Sequence, residues 1–513
     1  MKNSPLWLKI FAAFAGLYLL LPIIALLFDA SKSLELIKPL LSNSETWKTM
    51  GNSLLLALAS ATPASLIAVP SAWFLCRCQL PFRRFWLILS IIPLAMPSYV
   101  SAYGYIAVFN FNGLLYQISP KLSFDIRNFY GAWLSMTMVN YPVSVRICRS
   151  ALQQKDPALE ESAHILGCSK SQVFFKITLP LLKPAIISGM LLVALYCLSD
   201  LGTPYLMNTK TFTLDLFTHF ENGGFSEGAI LSIVLLITAI FLLFSENIFQ
   251  KRGQLYSLSG VARKPKLYNC GLWTGPICLF LLLVAAFAFI MPISAIIHWF
   301  LIGLKEEIEI KEQIAPFFES LKIAGLTCII TTITALPIAY FCSRFKGPIS
   351  SLLNKLSFLG NATPGIVIAL AFVSFFSSFH SLYQTLFLMA LALGLRFMPQ
   401  AFASLKSTFD RINPKVEEAA RDLGANSFNT FIRVSLPMAL PGILASLALV
   451  FITTIKELPI TLILATPGKR FLPQEIWDNI DEGEFSLIAS PALLLLCISS
   501  LSLFFILRQE RNS

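Results

Sequence analysis

Twelve stretches of this chain are each long and apolar enough to cross a bilayer as a helix: roughly 6–28, 52–76, 85–108, 129–148, 184–199, 228–245, 272–301, 320–342, 353–377, 381–402, 438–456 and 485–507. A hydrocarbon core of about 30 Å takes about 20 such residues. Inside it each backbone amide must find its partner within the protein, which leaves helices as the economical solution. The expected fold class is therefore an all-α polytopic membrane protein with about twelve transmembrane helices. Composition agrees. Apolar residues make up 56% of the 513 and charged residues only 13%, about half the charged fraction of a soluble domain, and mean hydropathy is +0.71. Such a chain could not cover a water-facing surface, which excludes a soluble enzyme, a disordered protein and a nucleic-acid binder. Prolines within the windows, among them Pro63, Pro70, Pro93, Pro97 and Pro364, are tolerated in a bundle because neighbours re-satisfy the freed backbone groups. The first window is expected to be a retained span and not a signal peptide, since no small-x-small cleavage site follows at Phe28-Asp29-Ala30-Ser31.

The net charge of +11 is read as orientation, because excess Lys and Arg collect in cytoplasmic loops. With the N-terminus inside, inner loops hold Arg77, Arg83 and Arg84, then Arg146, Arg149, Lys155, Lys170, Lys176 and Lys183, then Lys251, Arg252, Arg263, Lys264 and Lys266, then Arg344, Lys346 and Lys355. Outer loops hold Glu306, Glu307, Glu309 and Glu312, and later Glu475, Asp478, Asp481, Glu482 and Glu484. Both termini are expected in the cytoplasm. The ten cysteines read as small apolar packing residues with no disulfides among them.

The chain also repeats itself. Asp156-Pro-Ala-Leu-Glu-Glu-Ser-Ala-His-Ile-Leu-Gly167 returns as Asn413-Pro-Lys-Val-Glu-Glu-Ala-Ala-Arg-Asp-Leu-Gly424, and Ile177-Thr-Leu-Pro180 returns as Val434-Ser-Leu-Pro437. The offset is 257 residues, from 161 to 418 and from 180 to 437. Upstream it is 267: Pro70 to Arg77 aligns with Pro337 to Arg344, and Pro97 with Pro364. The first half thus carries ten extra residues between about 100 and 140. The expected organisation is a first six-span half over 1–246, a polar linker over 247–270, and a second six-span half over 271–513. Six spans per half is an even number, so the repeat is parallel, about an axis along the membrane normal.

Each repeated stretch lies between the fourth and fifth spans of its half and is too polar to span. Asp156-Pro157 and Asn413-Pro414 suit an N-cap and first-turn proline. Glu160 and Glu161, like Glu417 and Glu418, fall where the helix dipole favours acids. Gly167 and Gly424 end the helix, and a second short helix is expected to stop at Leu179-Pro180 and Leu436-Pro437. The second copy, Glu418-Ala419-Ala420 with Gly424, Val434 and Leu436-Pro437, resembles the EAA loop of ABC importer permeases. The first copy departs modestly, with Glu161-Ser162-Ala163, Gly167, Ile177 and Leu179-Pro180. In that family the loop is the coupling helix seated in a cleft of the ATPase subunit, in a type I importer permease fold. The resemblance implies that Glu161 and Glu418 contact that subunit and that Gly167 and Gly424 permit the turn.

Less specific stretches, Ser199-Asp-Leu-Gly-Thr-Pro204 with Thr211-Phe-Thr213, Pro97 to Tyr103, and Lys456-Glu-Leu-Pro459, look like the fused ferric-iron branch of the family; the thiamine branch is also fused. No Gly-x₄-Gly-Lys-[Ser/Thr] loop occurs, and Pro467-Gly468-Lys469-Arg470 lacks its earlier Gly and its hydroxyl. The chain is therefore expected to be a transport subunit and not an enzyme, with no cofactor of its own. The resemblance implies two copies of a separate cytoplasmic ABC ATPase that uses ATP, a periplasmic substrate-binding protein, a multi-pass location in a bacterial inner membrane, and alternating access driven by closure of the ATPase dimer.

Asp200 and Glu457 align at offset 257 near the outer end of the fifth span of each half. Two carboxylates at pseudo-symmetric places could line the pathway and attract a hard cation such as ferric iron; the other reading is acids at helix ends facing water. Tyr99, Tyr103 and Tyr105 are oxygen donors or membrane-interface anchors. His219, His298 and His380 read as packed or solvated residues, and no metal set can be assigned. An ion-coupled secondary transporter is the competing class, weakened by the scarcity of mid-membrane ionisable residues. A lipid-acting enzyme finds no nucleophile elbow, triad or His-rich set to support it.

Overall fold

The computed structural model describes residues 5–154, 158–254, 267–305, 313–480 and 485–512, and every element among them is helical, apart from one isolated bridge between Cys78 and Tyr268. Each of the twelve apolar windows falls on helix. Seven helices are long and apolar enough to cross a membrane alone, among them Trp7–Lys32, Ser44–Arg77, Lys170–Ser199, Ile314–Arg344 and Leu386–Arg411, and three further windows are bent helix pairs. By length and composition that makes up to ten spans among the described residues. The other two windows are Phe129–Gln154, which carries Asn140, Arg146 and Arg149, and the closing helix Phe485–Asn512.

Two of the three bent pairs follow the repeat, while the third, Ser427–Met438 with Leu440–Ile455 at 69°, answers to the unbroken Lys170–Ser199. Arg83–Ala95 meets Ser98–Ile118 at 98°, and Pro348–Ala362 meets Gly365–Phe376 at 105°. The corners are Pro97 and Pro364, which the 267-residue offset pairs. Both have polyproline-like backbones (φ −61, ψ 149 and φ −55, ψ 146), and the residue before each is extended, as a following proline demands. The third window of each half is thus broken at its proline and is not a kinked continuous helix.

The chain divides into two compact units. One comprises Met1–Ser42, Leu216–Leu236 and Lys305–Ser513; the other comprises Asn43–Asp215 and Ile237–Leu304. Each is built on three mutually packed helices that occupy equivalent places in the repeat: Ser44–Arg77, Phe129–Gln154 and Leu179–Ser199 in one, Ile314–Arg344, Leu386–Arg411 and Leu440–Ile455 in the other. Small side chains let these backbones approach, as between helices in lipid. Ser65 Oγ lies 3.4 Å from Ser144 Oγ, and Thr332 Oγ1 lies 2.9 Å from Ser446 Oγ. Large apolar side chains turn outward instead, including Phe14, Leu17, Leu55, Leu66, Ile329 and Ile333.

The first span of each half joins the core of the other half. Leu6–Lys32 packs within the unit of residues 305–513, where the Tyr18 hydroxyl donates to Leu391 O at 2.6 Å. The span 271–304 packs within the unit of residues 43–215, where the Tyr105 hydroxyl donates to Phe287 O at 2.6 Å. A phenol buried away from water takes the nearest free carbonyl. Tyr99, Tyr103 and Tyr105 are accordingly buried and not interfacial anchors.

Candidate functional site

The two repeat loops fold alike. The first helix runs Ala158–Ile165 and its counterpart Pro414–Asp422. Asn413 caps the second, its side chain accepting from Lys415 N at 3.1 Å; the matching Asp156-Pro157 lies outside the described residues. Gly167 and Gly424 close the helices at φ +87 and +91. Around them Gly167 N donates to His164 O and Cys168 N to Ala163 O, just as Gly424 N donates to Arg421 O and Ala425 N to Ala420 O. That pair of bonds is a Schellman closure, which needs a left-handed residue.

The expectation that the second short helix stops at Leu-Pro is corrected for the first copy; in the second the helix ends one residue beyond it, at Met438. Lys170–Val173, capped by Ser169, and Ser427–Thr430, capped by Asn426, each pass into a π-turn, Phe174–Thr178 and Phe431–Ser435. In the first copy the chain continues as helix through Leu179-Pro180 to Ser199, whereas in the second it passes Leu436-Pro437, ends at Met438 and bends by 69° into Leu440–Ile455. The wide turn bonds Leu179 N to Phe174 O and Leu436 N to Phe431 O. It carries the backbone past the point where proline lacks a donor and its ring would collide.

Of the paired glutamates, one faces in and one faces out. Glu160 and Glu417 are buried, 8% and 2% exposed, while Glu161 and Glu418 are exposed. Glu160 receives Arg77 Nε at 3.1 Å, Arg77 Nη2 at 3.4 Å and the Thr178 hydroxyl at 3.0 Å. Glu417 receives Arg344 Nε at 3.0 Å, Arg344 Nη2 at 2.9 Å and the Ser435 hydroxyl at 2.8 Å. The same arginines reach the end of the fourth span, Arg77 Nη2 donating to Leu152 O at 3.3 Å and Arg344 Nη1 to Phe409 O at 3.0 Å. Each clamp thus ties the second span, the loop helix and the root of the fifth span together. Arg77 and Arg344 appeared in the repeat at offset 267, but as orientation charges; their constant pairing with Glu160 and Glu417 was the available signal.

The other expected loop residues hold matching places. Ala163 is buried, Ala420 half-buried and Ala419 exposed; Leu179 and Leu436 are half-buried, and Pro180 and Pro437 exposed. The outward face is apolar as well as acidic: Leu159 and Val416 are exposed, and Leu166 and Leu423 are 83% and 90% exposed.

Asp200 and Glu457 also occupy equivalent places, each at the broken corner of the third window of its own half. Asp200 follows the fifth span and accepts from Gly202 N at 3.1 Å, with Ser98, the residue after Pro97, close to its carboxylate. Glu457 receives Arg396 Nε at 3.2 Å, and Arg396 Nη1 donates to Thr363 O at 3.1 Å. A Cβ on Gly365, the residue after Pro364, would collide with Glu457 Oε1. Sequence reasoning did not single out Arg396. Elsewhere His219 pairs with Glu227 at 2.9 Å and His298 with Gln117 at 2.9 Å, and no group of three metal-ligating side chains occurs among the described residues.

The family model for the "binding-protein-dependent transport system inner membrane component" matches residues 64–254 and again 331–511. The two matches begin 267 residues apart and end 257 apart, the two offsets of the repeat. A curated relative, the Fe(3+)-transport system permease protein FbpB 2 of Haemophilus influenzae, is 28% identical over 98% of each chain. The ferric transport system permease protein FbpB of Actinobacillus pleuropneumoniae is 22% identical over 82% of this chain and 65% of its own. The sulfate transport system permease protein CysT of Escherichia coli is 28% identical over 47% of this chain and 89% of its own.

Proposed function

We propose a function from one premise: the chain belongs to the family of binding-protein-dependent transport system inner membrane components, which matches it twice. It is a permease subunit of an ABC importer with both permease copies fused. Within that role we infer that the two repeat loops are coupling helices for two copies of a cytoplasmic ATPase, and that a periplasmic binding protein delivers substrate to the opposite face. Both termini are then cytoplasmic. The observation that carries this reading is the pair of loops, each held from within by a buried Arg–Glu clamp and each presenting an exposed glutamate (Glu161, Glu418) and an exposed leucine (Leu166, Leu423). Leucines this exposed, in a loop that also carries an exposed acid, suit a protein partner that covers the loop. In the cycle we propose, ATP binding draws the two loops together and hydrolysis releases them. The clamps pass that movement to the second, fourth and fifth spans.

Ferric iron is the cargo we propose. The relative named for Fe(3+) matches along nearly the whole fused chain, whereas the sulfate permease matches about half of it. Asp200 and Glu457 are the proposed pathway acids, each held at a broken corner, with Glu457 balanced by Arg396. The test is uptake by cells lacking the chain, supplied with radiolabelled ferric iron, thiamine or sulfate. Loss of iron uptake alone, restored by the wild-type chain, supports the assignment. Loss of thiamine or sulfate uptake with iron unchanged keeps the importer and discards iron.

A further inference from the structure

Each buried glutamate has a phenol beside it, and the two phenols come from different parts of the chain. At Glu417 it is Tyr340 of the second span, whose hydroxyl donates to Oε2 at 3.2 Å and whose ring centroid lies 4.8 Å from that of Phe431. The position 267 residues earlier is Trp73, which packs on Phe174, the counterpart of Phe431, at 5.4 Å. An indole there has no hydroxyl to offer. The phenol comes instead from Tyr268, next to the first span of the second half. Its ring stacks on Trp73 at 6.1 Å and 26°, which brings its hydroxyl close to Glu160. The backbone fixes it there: Tyr268 N donates to Arg77 O at 2.7 Å and Gln79 N donates to Tyr268 O at 2.9 Å. His164 Nε2, from the loop helix itself, lies 3.1 Å from the same hydroxyl. Burial first, and Glu160 second, push the phenol up to about 12, so it remains a protonated donor at neutral pH.

We propose that Tyr268 is a positioning residue for the first loop helix: the segment joining the halves completes a clamp that the second half completes from its own span. The two loops are therefore not equivalent. Seating of Ala158–Ile165 depends on the joining segment, and seating of Pro414–Asp422 does not.

Amide exchange on the purified full chain tests this directly. Tyr268→Phe is expected to speed exchange in 158–165 about tenfold, the scale of one lost hydrogen bond, and to leave 414–422 unchanged. Tyr340→Phe is expected to do the reverse. Adding Trp73→Tyr to Tyr268→Phe moves the hydroxyl onto the span, as in the second half, and restores protection. Unchanged exchange in Tyr268→Phe, faster exchange in both loops, or failure of Trp73→Tyr to rescue would each overturn the proposal. A second arm rests on the coupling reading: in proteoliposomes with the ATPase and binding protein, Tyr268→Phe raises the ATP consumed per ion imported, and the double variant lowers it again. A wild-type chain that shows no ATP-driven import defeats the coupling reading, while the exchange arm still decides the tyrosine.

Discussion

Arg344 holds Glu417 through both carboxylate oxygens, with Nη2 2.9 Å from Oε1 and Nε 3.0 Å from each oxygen. Arg77 and Glu160 repeat the pair in the other half with Nε 3.1 Å from Oε2. Two adjacent glutamates in each loop therefore divide two tasks. The inner one anchors the loop to its own bundle, and the outer one is exposed. Because the anchor ends on three spans at once, a displacement of the loop helix cannot be absorbed by that helix alone.

Removing one partner of such a pair leaves a buried charge uncompensated, at a cost of about 3–5 kcal/mol. Arg344→Ala and Arg77→Ala are expected to lower the thermal midpoint of the detergent-solubilised chain markedly. Glu418→Ala and Glu161→Ala, being exposed, are expected to stay within about 0.5 kcal/mol of wild type. Equal effects from the inner and outer positions would refute the division. Arg344→Lys is expected to rescue little, because the bidentate geometry belongs to guanidinium.

Gly167 and Gly424 sit at φ +87 and +91 with nothing within 4 Å of an added Cβ. The cost of Gly→Ala is then backbone strain alone, about 1–2 kcal/mol. Asparagine, which tolerates the left-handed region better, is expected to cost less. Amide exchange in the loops measures both; an alanine variant as protected as wild type contradicts the assignment of the turn.

At the second-half corner, a Cβ on Gly365 collides with the Glu457 carboxylate. Gly365→Ala is expected to destabilise the chain, and Glu457→Asp, with a shorter side chain, to relieve part of that loss. Residues in such contact couple by about 0.5–3 kcal/mol. A double-mutant cycle that closes to zero would show that the two do not meet.

Much of this organisation is legible from residue order. Hydropathy marks the helices, and the two offsets locate both loops and pair Pro97 with Pro364 and Asp200 with Glu457. Other features are not legible, for physical reasons. A proline in an apolar window looks the same whether it kinks a span or turns it through 98°. The exchange of first spans between cores leaves no trace in hydropathy, since lipid and either bundle accept the same apolar face. Leu179-Pro180 reads as a stop because proline usually is one, and only the preceding π-turn lets that helix continue. Arg77 and Glu160 lie 83 positions apart, so nothing local links them; the repeated pairing at 344 and 417 was the clue.

The central claim is that the outward faces of the two loops receive an ATPase. Ferric-iron uptake by cells whose only copy of the chain carries Glu161→Lys together with Glu418→Lys tests it most directly. Both side chains are exposed, so the variant is expected to reach the membrane in wild-type amounts, checked by immunoblot, and to lose nearly all uptake. Wild-type uptake by that folded, membrane-resident variant would contradict the account.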